Sequence, residues 1–103
     1  MISWIIIGRN WEENLDSLFL SINNQTAQKE NYEIIFVDDK STDNSIKKLE
    51  VYINKNQYKI IKQSNHFGRG AARNIGINYS SGDWCIFSNS NTYPEPNFIN
   101  DYI

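Results

Sequence analysis

Cysteine and histidine are nearly absent from this 103-residue sequence, with one of each, Cys85 and His66. A single cysteine excludes an intramolecular disulfide, and one cysteine with one histidine cannot make a structural zinc site. That scarcity fits a reducing compartment, so a cytoplasmic location is expected, at the inner face of a membrane if a longer parent protein docks there. No apolar run approaches a membrane span in length. The run at residues 2–7 is too short for a signal-peptide core and is followed by Arg9, Asn10 and two acids. Neither sign of charge predominates. The formal net charge of -2 leaves no basic field for nucleic acid and no acidic tail.

What remains is ordinary globular composition, 40% hydrophobic and 21% charged. The many asparagines are dispersed, which reads as codon composition rather than a prion-like tract. The length suits one domain, residues 1–103, burying roughly 60–70% of its unfolded surface. Residues 2–7 are β-branched almost throughout and predict a first strand. Asn10 with Glu13 forms an Asn-x-x-Glu capping pair, followed by Leu15, Leu18, Phe19 and Ile22 at helical spacing. Strands are expected at 32–37, 58–61 and 84–87. A second helix is expected with Ser41 or Thr42 as its cap and Ile46, Leu49 and Ile53 as its stripe. A third spans 71–79, with Ala71, Ala72, Ile75 and Tyr79 facing inward. Pro94 and Pro96 make an extended segment, and Asn97 caps a last short helix. Strands alternating with helices of about ten residues imply right-handed crossovers. The expected architecture is a Rossmann-like three-layer α/β/α fold around a mainly parallel four-stranded sheet.

The stretch at 34–44 organises the rest. Its run of Ile34, Ile35, Phe36 and Val37 lacks polar alternation, as in a parallel strand covered on both faces. Asp38 and Asp39 follow where the strand leaves the core, the edge at which open α/β sheets collect ligands. The pair either holds a ribose or base there or forms a solvated turn. Arg69 and Arg73 lie one turn apart at the start of a helix, where the N–H groups and dipole already favour an anion. They either clamp a diphosphate or, in the case of Arg73, pair with Asp38 or Asp39 as a structural ion pair; the two roles are compatible.

Other features read more simply. His66 in its loop is expected to be solvated, and Cys85 to be a core residue. Trp4 and Trp84 are expected to pack within the strands, and Trp11, near the ligand edge, to pack rather than stack on a base. Gly68-Arg69-Gly70-Ala71-Ala72-Arg73 is not a dinucleotide fingerprint. It follows the third strand, and Arg73 stands where the last glycine belongs. A phosphorylation receiver carries its acidic pair after the first strand and works with acceptors at later strand ends that this chain does not clearly supply, which counts against that reading too.

Five blocks in order resemble the N-terminal half of a family-2 glycosyltransferase, with the GT-A fold. They are Ile5-Ile6-Ile7-Gly8-Arg9-Asn10; Ser17-Leu18 through Asn24-Gln25-Thr26; Tyr32 through Asp43; Gly68 through Gly76; and Ser81-Gly82-Asp83-Trp84-Cys85-Ile86-Phe87 with Pro96-Asn97-Phe98. The resemblance implies a nucleotide-diphosphate sugar as donor, most often a UDP-sugar, and hexosyl-type transfer to a saccharide or cell-envelope acceptor. It places Gly8, Arg9 and Asn10 against the nucleotide, Asp39 with Asp38 at the base or ribose, and Arg73 on the nucleotide side of the same pocket. Arg69 joins this set as the second diphosphate-clamp residue.

Two departures accompany it. The family carries Asp-x-Asp after the fourth strand to hold Mn²⁺ or Mg²⁺ on the diphosphate. Here Asn89-Ser90-Asn91 stands in its place, and amides bring no charge to a hard cation. Arg9, Lys40, Arg69 or Arg73 would then offset the diphosphate instead. The family's acceptor half and general base also lie beyond the end of this chain. The expectation is therefore a donor-binding half, inactive alone. The competing readings are a non-catalytic binding or assembly module and, more remotely, another nucleotide-binding α/β protein. The fourth strand is expected to leave an apolar edge open to self-association.

Overall fold

A computed structural model describes residues 1–53, 58–65 and 68–103. The expected strands and helices are present, several slightly longer than the local pattern suggests. They are β1 (Ile2–Gly8), α1 (Leu15–Asn23), β2 (Tyr32–Asp38), α2 (Ser45–Ile53), β3 (Tyr58–Lys62), α3 (Arg69–Asn78) and β4 (Trp84–Asn89). The strands form one parallel sheet in the order β3-β2-β1-β4.

The continuous apolar runs of β1 and β2 follow from covering both faces of that sheet. Trp4, Ile6, Ile34 and Phe36 face one way, onto Leu15, Leu18, Phe19 and Ile22 of α1 and Leu49 of α2. Ile5, Ile7, Ile35 and Val37 face the other way, onto Ala72 and Ile75 of α3. Strand period two thus sorts a uniform run into two cores. Phe19 bridges the α1 layer by stacking on Phe36 and on Tyr52, with centroids 5.4 Å and 4.3 Å apart. The α3 layer approaches through Gly76, where a Cβ would come within 2.6 Å of Ile5 Cγ2. The segment after β4 is strapped to the end of α1. Thr26 N–H donates to Pro96 C=O, Ile99 N–H donates to Gln25 Oε1, and Phe98 packs on Trp4.

Several local expectations give way to longer-range contacts. Asn10 does not cap α1. It sits in the left-handed region at φ 53°, its Oδ1 accepts from Thr42, and a 3-10 turn at Glu12–Asn14 leads into the helix. Asp43, rather than Ser41 or Thr42, serves α2, accepting the N–H of Ser45 at 2.9 Å. Asn97 spends its side chain on Thr26 instead of a cap. Tyr79 is exposed, and the small residues facing the sheet are Ala72 and Gly76. Trp84 is 74% exposed because it opens an edge strand where no helix among the described residues covers it. His66 lies outside the described residues, and Cys85 is half-buried with its Sγ 3.6 Å from Ser80 Oγ.

One buried charge interrupts the apolar pattern of β2. Glu33 accepts from Ser3 O–H and from the N–H of Ser81, each at 2.6 Å, and pairs with Lys59 at 3.3 Å. Burial opposes ionisation of this carboxyl, but the hydrogen bonds from Ser3, Ser81 and Lys59 outweigh it and hold the pKa below the ordinary glutamate value. A depressed carboxylate contributes stability above its unfolded pKa of about 4.3. That contribution is lost as the pH falls through the folded value. Glu33→Gln should therefore lower the urea midpoint at neutral pH and flatten its decline on acidification, as read by fluorescence-monitored unfolding at a series of pH values.

Candidate functional site

The carboxyl ends of β1 and β2 are tied into a single double turn. Each strand is followed by a non-glycine residue in the left-handed region, Asn10 at φ 53° and Lys40 at φ 55°. Such residues cost roughly 1–2 kcal/mol, and cross-links between the turns hold them there. Asn10 N–H donates to Ser41 Oγ, and Asn10 Oδ1 accepts from Thr42 N–H, at 2.8 and 2.7 Å. Trp11 N–H donates to Ser45 Oγ, and Asn44 N–H donates to Glu12 Oε1.

Asp38 is the centre of this knot. Its Oδ1 accepts from the Trp11 indole N–H at 2.9 Å and from Ser41 O–H, and its Oδ2 accepts from Ser41 N–H at 2.9 Å. The residue is buried, on the sheet face it shares with Ile34 and Phe36. Trp11 is fully buried against Phe36 and is therefore unavailable for stacking on a base.

Asp39, one residue on, lies at the wall of a hollow of about 530 Å³. Gly8, Arg9 and Asn10 line the hollow from the end of β1, and Asn89, Ser90 and Asn91 line it from the end of β4. Gly68 and Arg69 contribute the start of α3, which begins at Arg69 rather than at Ala71 and so opens its N-terminus on this space. Gly8 is required by close approach, since a Cβ there would meet the Trp11 ring at 2.4 Å and Ser90 Cβ at 2.8 Å. Ser90 N–H donates to Ile7 C=O, which seats the Asn-Ser-Asn turn against β1.

Most of the residues singled out in the sequence thus meet at one place. Gly8, Arg9, Asn10, Asp39, Arg69, Asn89 and Asn91 share the hollow; Asp38 and Arg73 do not line it. Arg73 lies farther along α3, its guanidinium carbon 5.9 Å from the centroid of the Phe87 ring. Asp38 is engaged by Trp11 and Ser41 instead of by Arg73. Asn14 also lines the hollow, its amide donating to Tyr93 Oη. No spacing rule marks a lone asparagine ahead of a helix, so the sequence alone does not single it out.

The lining combines groups that favour an anion with one carboxylate. Two guanidinium groups and a helix N-terminus face one carboxylate and several amides. The donor set does not suit a hard divalent cation, which prefers several carboxylate oxygens. Among the described residues, no group of three or more His, Cys, Asp or Glu side chains gathers to hold a metal.

The sequence profile described as "Glycosyl transferase family 2" matches residues 3–103. A poly(ribitol-phosphate) beta-glucosyltransferase of Bacillus spizizenii is 39% identical over 94 residues, covering 89% of this chain and 15% of that protein. The crystal structure of Staphylococcus aureus TarS in complex with UDP-GlcNAc superposes with a TM-score of 0.89 at 28% identity, covering 98% of this chain and 29% of that one. A mannosyltransferase from Pyrobaculum calidifontis, in complex with GDP-Man and Mn²⁺, gives a TM-score of 0.83 at 15% identity over 95% of this chain and 30% of that one, a likeness of fold alone. The chain spans less than a third of the length of each of these three proteins.

Asp38→Ala leaves the Trp11 indole and the Ser41 N–H without acceptors in a buried place. It should cost roughly 2–3 kcal/mol of stability, measured as a lower urea midpoint with an unchanged slope. A loss within 0.5 kcal/mol would mean that the knot around Asp38 is not structural.

Proposed function

The chain belongs to glycosyl transferase family 2, and on that premise we propose that its carboxyl-edge hollow binds the nucleotide-diphosphate part of a sugar donor, a UDP-sugar first among them. The observation that carries this reading is the meeting of the β1 turn, Asp39, the α3 N-terminus and Arg69 around one space. Arg9, Arg69 and the N–H groups at the start of α3 face the diphosphate. Asp39 accepts from the base or ribose, and Asn10 holds the turn that carries Arg9. Asp38 acts indirectly, by ordering the turn on which Asp39 sits. Arg73 reaches the nucleotide side from the Phe87 flank, or steadies α3 there.

The transfer itself belongs to the proposal for the whole protein, with a saccharide or cell-envelope acceptor. The acceptor oxygen attacks the anomeric carbon and loses its proton to a base as the bond to the diphosphate breaks and the nucleoside diphosphate leaves, and no residue of the hollow is assigned the role of base. The relatives named above, one a poly(ribitol-phosphate) glucosyltransferase and one crystallised with UDP-GlcNAc, support a polymeric acceptor and a UDP-sugar donor. A non-catalytic binding module is the second reading, favoured by the amides at Asn89 and Asn91. No helix among the described residues is long and apolar enough to cross a membrane.

The two sheet edges differ, and we propose that one of them associates. β3 carries Lys59 and Lys62, both charged and exposed, which guard an edge. β4 carries no charge and leaves Trp84 and Phe87 exposed on opposite faces, Trp84 lining a hollow with Ile2, Cys85, Ile86 and Tyr102. Sedimentation velocity of the 103-residue chain should show concentration-dependent dimers that Trp84→Lys suppresses. A monomer throughout the accessible concentration range would contradict this.

Donor binding is tested by titrating the isotope-labelled chain with UDP and following amide shifts. Perturbations should centre on Gly8, Arg9, Asn10, Asp39, Arg69 and the 89–91 turn, and Arg69→Ala should weaken binding about tenfold or more. Absence of any shift at millimolar UDP would overturn the donor-site reading.

A further inference from the structure

The carboxyl-edge hollow contains a charge pattern that differs from a metal-assisted diphosphate site. In such a site a divalent cation, held by carboxylates, neutralises the phosphate oxygens. Here the strand end that faces the hollow offers Asn89 and Asn91, whose amide oxygens are neutral. The lining carboxylate is Asp39, which lies at the end of β2, across β1 from the 89–91 turn. Two permanent cations occupy the same lining. Arg9 follows β1 and Arg69 opens α3, so they belong to different elements and face one space. Guanidinium groups do not titrate in the working range and present paired donors that match phosphate oxygens.

We infer that this chain holds a nucleoside diphosphate without a divalent cation, Arg9, Arg69 and the α3 N-terminus taking the charge that a metal would otherwise take. This rests on the donor-site reading above. Each phosphate of a diphosphate linkage carries a negative charge, and two guanidinium groups match that pair. The neutral turn at 89–91 follows from the same logic. Carboxylates there, without a metal between, would repel the diphosphate they face, whereas amides donate N–H groups to it. Asparagine at these positions is thus suited to a site whose cations are covalently part of the chain. Ligand binding should accordingly weaken as ionic strength rises, since the arginines are exposed and screened by salt.

The test is calorimetric titration of the full 103-residue chain with UDP, in EDTA and in excess Mg²⁺, with amide spectra confirming that each variant is folded. The wild-type chain should bind with affinities in the two conditions that agree within about twofold. Arg9→Ala and Arg69→Ala should each weaken binding in EDTA about tenfold. The double variant Asn89→Asp with Asn91→Asp should bind more weakly than wild type in EDTA and recover in Mg²⁺. Wild-type binding that requires Mg²⁺ would overturn the inference and leave the donor site standing. Arginine variants with unchanged affinity, or an aspartate pair indifferent to both conditions, would also overturn it. Absence of UDP binding both in EDTA and in Mg²⁺ would overturn the donor-site reading and this inference with it.

Discussion

Asp38 ties together two turns that are distant in sequence, the one after β1 and the one after β2. Its carboxylate takes the Trp11 indole N–H from the segment after β1, and the N–H and O–H of Ser41 from the segment after β2. The Trp11 side chain is thereby fixed against Phe36, and its ring sets how closely the chain must pass at Gly8. That close passage seats Ser90 and the turn after β4. The walls of the hollow therefore depend on a residue that does not line it. A buried charge with its hydrogen bonds made is stable, and removing its partners is costly. The network holds Asn10 and Lys40 in backbone conformations they would otherwise avoid.

The layers were legible because they rest on local chemistry. Continuous β-branched runs at β1 and β2 and amphipathic spacing in α1 are sufficient to place strands, helices and a parallel sheet. The meeting of Gly8, Asp39 and Arg69 at the carboxyl edge was legible too, since topology alone brings strand ends together. The fine structure was less so. Asn10 looked like a helix cap because the capping rule searches three residues ahead, whereas its partner Thr42 lies 32 residues away. Asp38 and Asp39 were read as a pair, although strand alternation separates them. Asp38 shares a face with Ile34 and Phe36, and that parity already pointed it into the core. Trp84 reads as strand packing by default, although it stands on the same fourth strand whose edge is expected to be open, and at that edge it is exposed.

Charge distinguishes this hollow within its general architecture. The fold brings strand ends and a helix N-terminus to one place whatever side chains they carry. The side chains then decide which counter-charge an anion meets. In this chain the cationic residues of the lining are Arg9 and Arg69, while the turn after β4 is neutral. The apolar edge of β4 belongs to the same economy of position, lying beside the site and without the lysines that mark β3. Fold, knot and charge pattern therefore act at successive levels: the layers place the edge, Asp38 shapes it, and Arg9 and Arg69 give it sign.

A crystal structure of the 103-residue chain grown with UDP tests the central claim most directly. The account predicts the diphosphate between the turn at Gly8 to Asn10 and the start of α3, within reach of Arg9 and Arg69, with the base or ribose against Asp39. A nucleotide found elsewhere, such as on the apolar hollow beside Trp84, would contradict it.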